Sequence, residues 1–341
     1  MDSKPLSFNY DRRFGVEIEV NALDGRDFVK YPLHSGELPR GVEYVADLLR
    51  ENLGKSVIIN KWHYTHNNGE WVIKPDSSCG IEICSPVSKR WSGLKEICKV
   101  IELLKNDPLV KADHRCSLHV HVEVSDLLMS VLNRVLVYWI KSEPIFLDGV
   151  PDNRKLNRFC QCIGETDMFS LRDRFDTVCN KLGEQKYLTV NTYHYCKGKR
   201  KTIEFRIIGN EGCLNPYLVK NWVRLLVHFV EMAAATLPLV NYEVGNRLSA
   251  FCWLDLEDVF DFLGFNGNRE LSKGLEQTRN WFLASIQANV LSKHKGVWSP
   301  RGREVTERQV NNLISQLGVD VSKNLEADVD ADNLYSETYR T

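Results

Sequence analysis

Residues 14–20 read FGVEIEV. Alternate side chains on a strand point to opposite faces, so this run sets Val16, Ile18 and Val20 against Glu17 and Glu19. One face asks for a core. The other gathers two carboxylates, which repel each other unless a cation or solvent relieves them. Alone, the pattern is better met by a half-exposed strand with solvated glutamates. The fold reading rests on how the same arrangement returns along the chain.

Residues 71–86, WVIKPDSSCGIEICSP, form two strands around a Ser-Ser-Cys-Gly turn and carry Lys74, Asp76 and Glu82, the last between Ile81 and Ile83. Residues 116–124, CSLHVHVEV, put His119 and His121 on one face and Leu118, Val120 and Val122 on the other. Residues 201–209, KTIEFRIIG, put Glu204 and Arg206 opposite Ile203, Phe205 and Ile207. A basic stretch follows another logic, with Arg154, Arg158, Arg172 and Arg174 ahead of Lys186. Singly, a surface hairpin, two satisfied histidines, an exposed ion pair of little worth or a solvated loop explains each of these. Together they place Glu17, Glu19, Asp76, Glu82, His119 and Glu204 on one polar face of a curved sheet. Hard oxygen donors with an imidazole suit Mg2+ or Mn2+ better than zinc. Such ions beside cationic side chains are a phosphoryl-transfer arrangement.

Outward from these strands the pattern is α+β. Helical periodicity covers residues 42–53, 94–104, 216–236, 254–263, 271–291 and 306–317, with Pro216 in a first turn. Residues 56–60 and 70–74 read as strands joined in a hairpin through Asn67, Asn68 and Gly69. Ser125 reads as the N-cap of a helix reaching about Lys141, residues 187–195 as extended, and residues 198–201 as a tight turn that makes a hairpin with the next strand. Residues 152–180 read as loop plus short helix. The expected organisation is a catalytic domain over 1–240, a helical region over 241–323 and a flexible acidic tail over 324–341.

Composition narrows the classes further. The 341 residues carry a formal net charge of −1, so no global basic field favours nucleic acid and any anion site must be local. Hydrophobic residues make up 43%, enough for a core without disulfides. The ten cysteines lack paired zinc-finger spacing; Cys160 and Cys162 form only a CxC, and Cys84, Cys98, Cys179 and Cys252 sit in apolar runs. Buried thiols in a reducing cytoplasm are the expectation, in line with an N-terminus lacking an apolar signal core and the lack of a membrane span.

In order along the chain, GVEIE, W-x-x-K-x-D-S-S-C-x-x-E-x-x-S-P, C-x-L-H-V-H-V, Y-L-T-V-N and T-I-E-F-R-I resemble the amidoligase family, from about residue 13 to about residue 230. That family belongs to the carboxylate–amine ligase superfamily, with glutamine synthetase and glutamate–cysteine ligase. Residues 203–218, IEFRIIGNEGCLNPYL, also resemble a segment of glutamine synthetase itself. The resemblance implies a glutamine-synthetase-like curved antiparallel sheet with packed helices, its concave face holding ATP and two metal ions. It implies one ion on Glu19 and Glu82, with Asp76, and the other on Glu17, His119 and Glu204. Arg206, with Glu204 and Lys74, would serve catalysis; His121, Arg206, Lys186 and Asn191 would contact nucleotide or phosphate. The implied reaction is ATP-dependent amide formation between a carboxylate and an amine, through an acyl phosphate. Two departures stand out: Ser117 where relatives have glycine, and Asp76 with Glu82 where glutamine synthetase has two glutamates. The alternatives are a guanidino-kinase-like phosphotransferase on the same scaffold, a metal-dependent hydrolase, and a non-catalytic metal- or nucleotide-binding protein.

Overall fold

The structure, a computed structural model, describes residues 6–8, 10–23, 38–60, 69–151, 154, 157–163, 175–236, 253–266, 270–292 and 305–321. The chain runs β1 (Phe14–Ala22), α1 (Arg40–Leu53), β2 (Val57–Ile59), β3 (Trp71–Asp76), β4 (Gly80–Cys84), α2 (Arg90–Asn106), β5 (Val110–Lys111) and β6 (Leu118–Glu123). It continues through α3 (Met129–Asp148), α4 (Val178–Leu182), β7 (Val190–Asn191), α5 (Tyr193–Cys196), β8 (Thr202–Ile208), α6 (Pro216–Ala235), α7 (Leu256–Phe262), α8 (Lys273–Ser292) and α9 (Glu307–Leu317). The sheet order is β2-β3-β4-β1-β6-β8-β7, with β5 pairing to β1. The fold is α+β, as the pattern of strands and helices leads one to expect.

Four expectations need correction. The sheet is mixed rather than antiparallel throughout, because β2 and β3 pair in parallel and not as a hairpin. Their connection, residues 60–70, spans about a dozen residues, the length a crossover between parallel neighbours takes. Ser125 does not cap α3; its hydroxyl donates to Glu123 Oε1 (2.8 Å), and the helix starts after Leu128. The same helix runs past Lys141 because its polar turn finds partners inside the core. The Ser142 hydroxyl donates to Tyr138 O (2.8 Å), and Glu143 accepts from Ile163 N (2.9 Å) and from the Thr189 hydroxyl. Residues 187–195 hold only the two-residue β7 before turning into α5. The boundary at residue 240 and the tail at 324–341 lie outside the described residues.

The apolar face of the sheet carries the core. Val16, Ile18, Val20, Ile81, Ile83, Leu118, Val120, Val122, Ile203 and Phe205 are all buried, and α1 and α6 pack near them. Asn215 caps α6, accepting from Tyr217 N (3.1 Å) and Leu218 N (3.2 Å), and Pro216 takes the first helical position. Behind this layer, Trp139 of α3 contacts Phe146, Phe205 and Phe229, and Trp222 of α6 meets Trp281 of α8 edge-on at 5.1 Å. No helix among the described residues is long and apolar enough to cross a membrane. Of the thiols singled out above, Cys84, Cys160, Cys162 and Cys179 are buried and Cys98 is half-buried; Cys252 lies outside the described residues.

One buried histidine makes stability depend on pH. His228 of α6 lies between the rings of Tyr10 and Phe265, its Nε2 2.7 Å from Leu263 O and its Nδ1 2.6 Å from Tyr10 Oη. Burial lowers its pKa to about 4. An imidazole whose folded pKa is depressed binds fewer protons when folded than when unfolded, so its stabilisation is present at neutral pH and lost as pH falls through about 6.5 toward 4. Between pH 7 and pH 5 the urea unfolding free energy is expected to fall by about 2 kcal/mol from this group, and His228→Gln removes that part of the slope. Equal slopes in both proteins would exclude His228 as its source.

Candidate metal and phosphate site

The register of the sheet decides which polar side chains meet. Glu17 lies opposite Cys84 on one side and His119 on the other, while Glu19 lies opposite Glu82. Lys74 is opposite Glu82, His121 opposite Glu204, and Asn191 opposite Glu204. The polar residues of β3, β4, β1, β6, β8 and β7 therefore share one face. They are not solvated: Glu17 is 8% exposed, Glu19 6%, His119 3%, Glu204 4% and Arg206 8%. A half-exposed strand with free carboxylates is thereby excluded for β1.

Buried carboxylates of this density need counter-charges, and the structure supplies several. Lys74 pairs with Glu82. Arg206 Nη1 donates to Glu204 Oε1 (2.5 Å), and Arg200 Nη1 donates to Glu17 Oε1 (2.8 Å). Burial would raise the pKa of Glu17, but His121 and Arg200 overcome it and hold the group well below the usual carboxylate range. Glu204 is likewise brought to about 2, since burial is outweighed by Arg206 and then His121. Glu19 behaves oppositely. Burial, with Asp76 and Glu82 nearby, pushes it up to about 8 even though Ser117 donates to it. Glu82 is raised by burial and by Glu17.

His119 shows why the face suits a cation. Burial, then the Arg206 charge, lowers its pKa to about 4, so the ring is neutral. The Ser117 hydroxyl donates to Glu19 Oε2 (2.6 Å) and can therefore accept from His119 Nε2 (2.8 Å). Ser117 and Glu17 thus engage the two ring nitrogens and fix the orientation of the imidazole. Its Nδ1 is 3.4 Å from Glu17 Oε2 and 3.4 Å from Glu204 Oε1. One imidazole nitrogen and two carboxylates thus meet at one point, with Arg206 already on Glu204, a donor set that suits a hard divalent ion. Among the described residues, Glu17, His121 and Glu204 also offer ligand atoms within 4.8 Å of one another, as do Glu17, Glu82 and Cys84. The residues present fit Mg2+ or Mn2+.

The expected site residues do not all converge. Glu17, Glu19, Glu82, His119, His121, Glu204, Arg206 and Lys74 do. Asp76 lies at the edge of the same face, close enough to Glu19 to raise its pKa, with its Oδ1 engaged in the β3–β4 turn by Ser78 N (2.7 Å) and Cys79 N (3.2 Å). That oxygen fixes the tight hairpin, in which Gly80 takes φ +110° and a Cβ would come 2.7 Å from Asn21 Oδ1. Asn191 donates to Glu204 Oε2 (2.8 Å) and accepts from Tyr193 N (2.8 Å), so it orients Glu204 rather than offering itself to phosphate. Lys186 is exposed, its Nζ 5.8 Å from the Tyr187 ring centre. Arg154 donates to the backbone oxygen of Arg206, and Arg158 stacks on Phe159; Arg172 and Arg174 lie outside the described residues.

Sequence reasoning missed Arg200, one of several cations in a basic turn with nothing in its spacing to single it out. It also read Cys84 as core and Ser117 as a mere departure. Ser117 could have been suspected, since a hydroxyl two residues before His119 falls on the same strand face.

A family model described as "Putative amidoligase enzyme" matches residues 10–230, more than half of the chain. Among solved structures, the chain is similar to a bifunctional glutathione synthetase from Pasteurella multocida, with 11% identity and a TM-score of 0.41. The match covers 92% of this chain and 50% of that one, so the chain spans half the length of the structure it resembles. No curated protein matches the sequence.

Proposed function

The chain belongs to the amidoligase family, and from that premise we propose that it uses ATP to join a carboxylate to an amine. The observation that carries this reading is the buried polar face on which Glu17, Glu82, His119 and Glu204 meet Lys74, Arg200 and Arg206. Carboxylates and cations on one buried face are what polyphosphate bound with divalent ions requires.

Hydroxide is a poor leaving group from a carboxylic acid. In the proposed reaction a carboxylate oxygen attacks the γ-phosphorus of ATP and ADP departs, giving an acyl phosphate. The amine nitrogen then attacks the acyl carbon, phosphate leaves, and the nitrogen loses its proton. Mg2+ or Mn2+, when bound by Glu17, His119 and Glu204 and by Glu19 and Glu82, would neutralise charge on the phosphates. Arg206, whose guanidinium is fixed by Glu204 and by Phe159 O (3.2 Å), would stabilise the charge that grows on the transferring phosphoryl group. Lys74, held by Glu82, lends a second fixed positive charge. Asn191 and Ser117 keep Glu204 and His119 in their orientations. His121, 3.2 Å from Glu17 Oε1, lies on the same face and would contact the nucleotide.

The test is a screen of pooled carboxylates and amines with Mg-ATP or Mn-ATP, reading ADP release and product mass. Amide formation that needs ATP, both substrates and the metal is the expected result. A stable phosphorylated product without an amide would replace the ligase reading by a phosphotransferase. Turnover without ATP would replace it by a hydrolase.

A further inference from the structure

The buried glutamates are neutralised in different ways, and the difference has a use. Glu82 holds Lys74 and Glu204 holds Arg206; both cations rise from strands, with side chains 5% and 10% exposed. Their backbones are locked in the ladder between β3 and β4 and between β6, β8 and β7. Among the described residues Glu19 has no such cation within ion-pair distance; its nearest counterpart there is His119 Nε2, 3.8 Å away. Glu17 holds Arg200, which comes from the turn ahead of β8 and keeps 34% of its side chain exposed. That turn hangs from α5, with Arg200 N and Lys199 N both donating to His194 O, and it passes through Gly198 at φ +64°. Among the cations paired with these glutamates, Arg200 alone can reach solvent without moving a strand.

Its guanidinium also stands in a telling place. Nη1 is 2.8 Å from Glu17 Oε1 and 3.2 Å from His121 Nε2. These are two of the three residues whose ligand atoms gather with Glu204 within 4.8 Å. A guanidinium and a divalent ion cannot share that space, because like charges at contact distance in a partly desolvated pocket repel strongly.

We infer that Arg200 is an internal counter-ion that holds Glu17 before a divalent ion arrives and gives Glu17 up to that ion when it binds. The inference rests on the metal-binding reading of the site, though not on amide chemistry. It gives the protein a way to keep buried carboxylates satisfied before the ion arrives, since an unpaired buried charge is costly. It also couples the two events: ion binding frees a guanidinium that can pair with an anionic substrate.

The experiment is a calorimetric titration of Mn2+, without ATP, into the full chain, Arg200→Ala and Arg200→Lys. Removing the competing cation is expected to tighten Mn2+ binding by about tenfold or more, the size of one charge-assisted contact. Arg200→Lys, which keeps the charge, is expected to bind like the parent. In thermal unfolding, cation-free Arg200→Ala is less stable than the parent and gains more from saturating Mn2+. Unchanged or weaker Mn2+ binding by Arg200→Ala overturns the exchange, even with ATP-dependent ligation intact. If Arg200→Ala does not fold, Arg200→Gln is titrated in its place under the same criterion. Absence of ligation with tighter Mn2+ binding leaves the exchange standing and removes only the proposed reaction. Absence of Mn2+ binding by all the proteins overturns both the exchange and the metal site.

Discussion

Replacing Glu204 by glutamine is expected to lower metal-dependent ATP turnover by at least about 10²- to 10³-fold, the usual loss on removing one preorganised electrostatic contact. Glu204 is held ionised in the recess, and each of its oxygens has a task. Oε1 accepts from Arg206 and Oε2 from Asn191. Glutamine keeps the size but only one acceptor, and it removes the charge that a divalent ion would need. It is a better probe than alanine, because Glu204→Ala would leave the buried Arg206 guanidinium without its partner, at a cost of about 3–5 kcal/mol. Loss of fold would then be confused with loss of chemistry. Thermal unfolding checks that Glu204→Gln remains folded, and turnover is compared per folded molecule. Turnover and Mn2+ affinity both equal to the parent would take Glu204 out of the site.

Trp139→Ala is expected to cost about 3–5 kcal/mol of unfolding free energy, in the range for emptying a buried aromatic position. Trp139 is fully buried, with ring centres 4.7 Å from Phe205, 4.8 Å from Phe146 and 5.4 Å from Phe229. Its indole N–H donates to Thr189 Oγ1 (3.1 Å), and the Thr189 hydroxyl donates to Glu143. Phe205 lies between Glu204 and Arg206 in β8, so the cluster under that strand also braces the polar face above it. The midpoint and slope of urea unfolding measure the effect. A loss below about 1 kcal/mol would mean that the neighbouring rings close the gap, contrary to a rigidly packed layer. With saturating Mn2+ the variant recovers part of its stability if the site survives, since ligand binding to the native state stabilises by mass action.

The strands that build the site were legible for a reason that lies in local geometry. Period-two alternation needs no knowledge of the rest of the chain: Val16, Ile18 and Val20 against Glu17 and Glu19, or Ile203, Phe205 and Ile207 against Glu204 and Arg206, read the same in isolation as in the sheet. Pro216 likewise announced the start of α6, because a proline's place in a first turn is set within a few residues. Misreadings arose where a partner distant in sequence decides. The polar turn Lys141–Ser142–Glu143 resembles a helix end until Ile163 and Thr189 are brought to it. Asn67, Asn68 and Gly69 resemble a hairpin turn, yet β2 and β3 run in parallel.

The sequence by itself determined which faces are polar, which side chains share them, and the order in which family motifs follow one another. These properties depend on side-chain periodicity along single strands. Tertiary structure alone decided the pairing across strands: Glu17 between Cys84 and His119, Glu82 against Lys74, Glu204 between His121 and Asn191. It also decided that Glu17 and Glu204 are buried and Glu82 half-buried, and that Arg200, from a turn with no distinguishing pattern, comes to rest on Glu17. Burial and ion pairing are set by neighbours far along the chain, and the electrostatics of a site follow from those neighbours more than from the residue types that compose it.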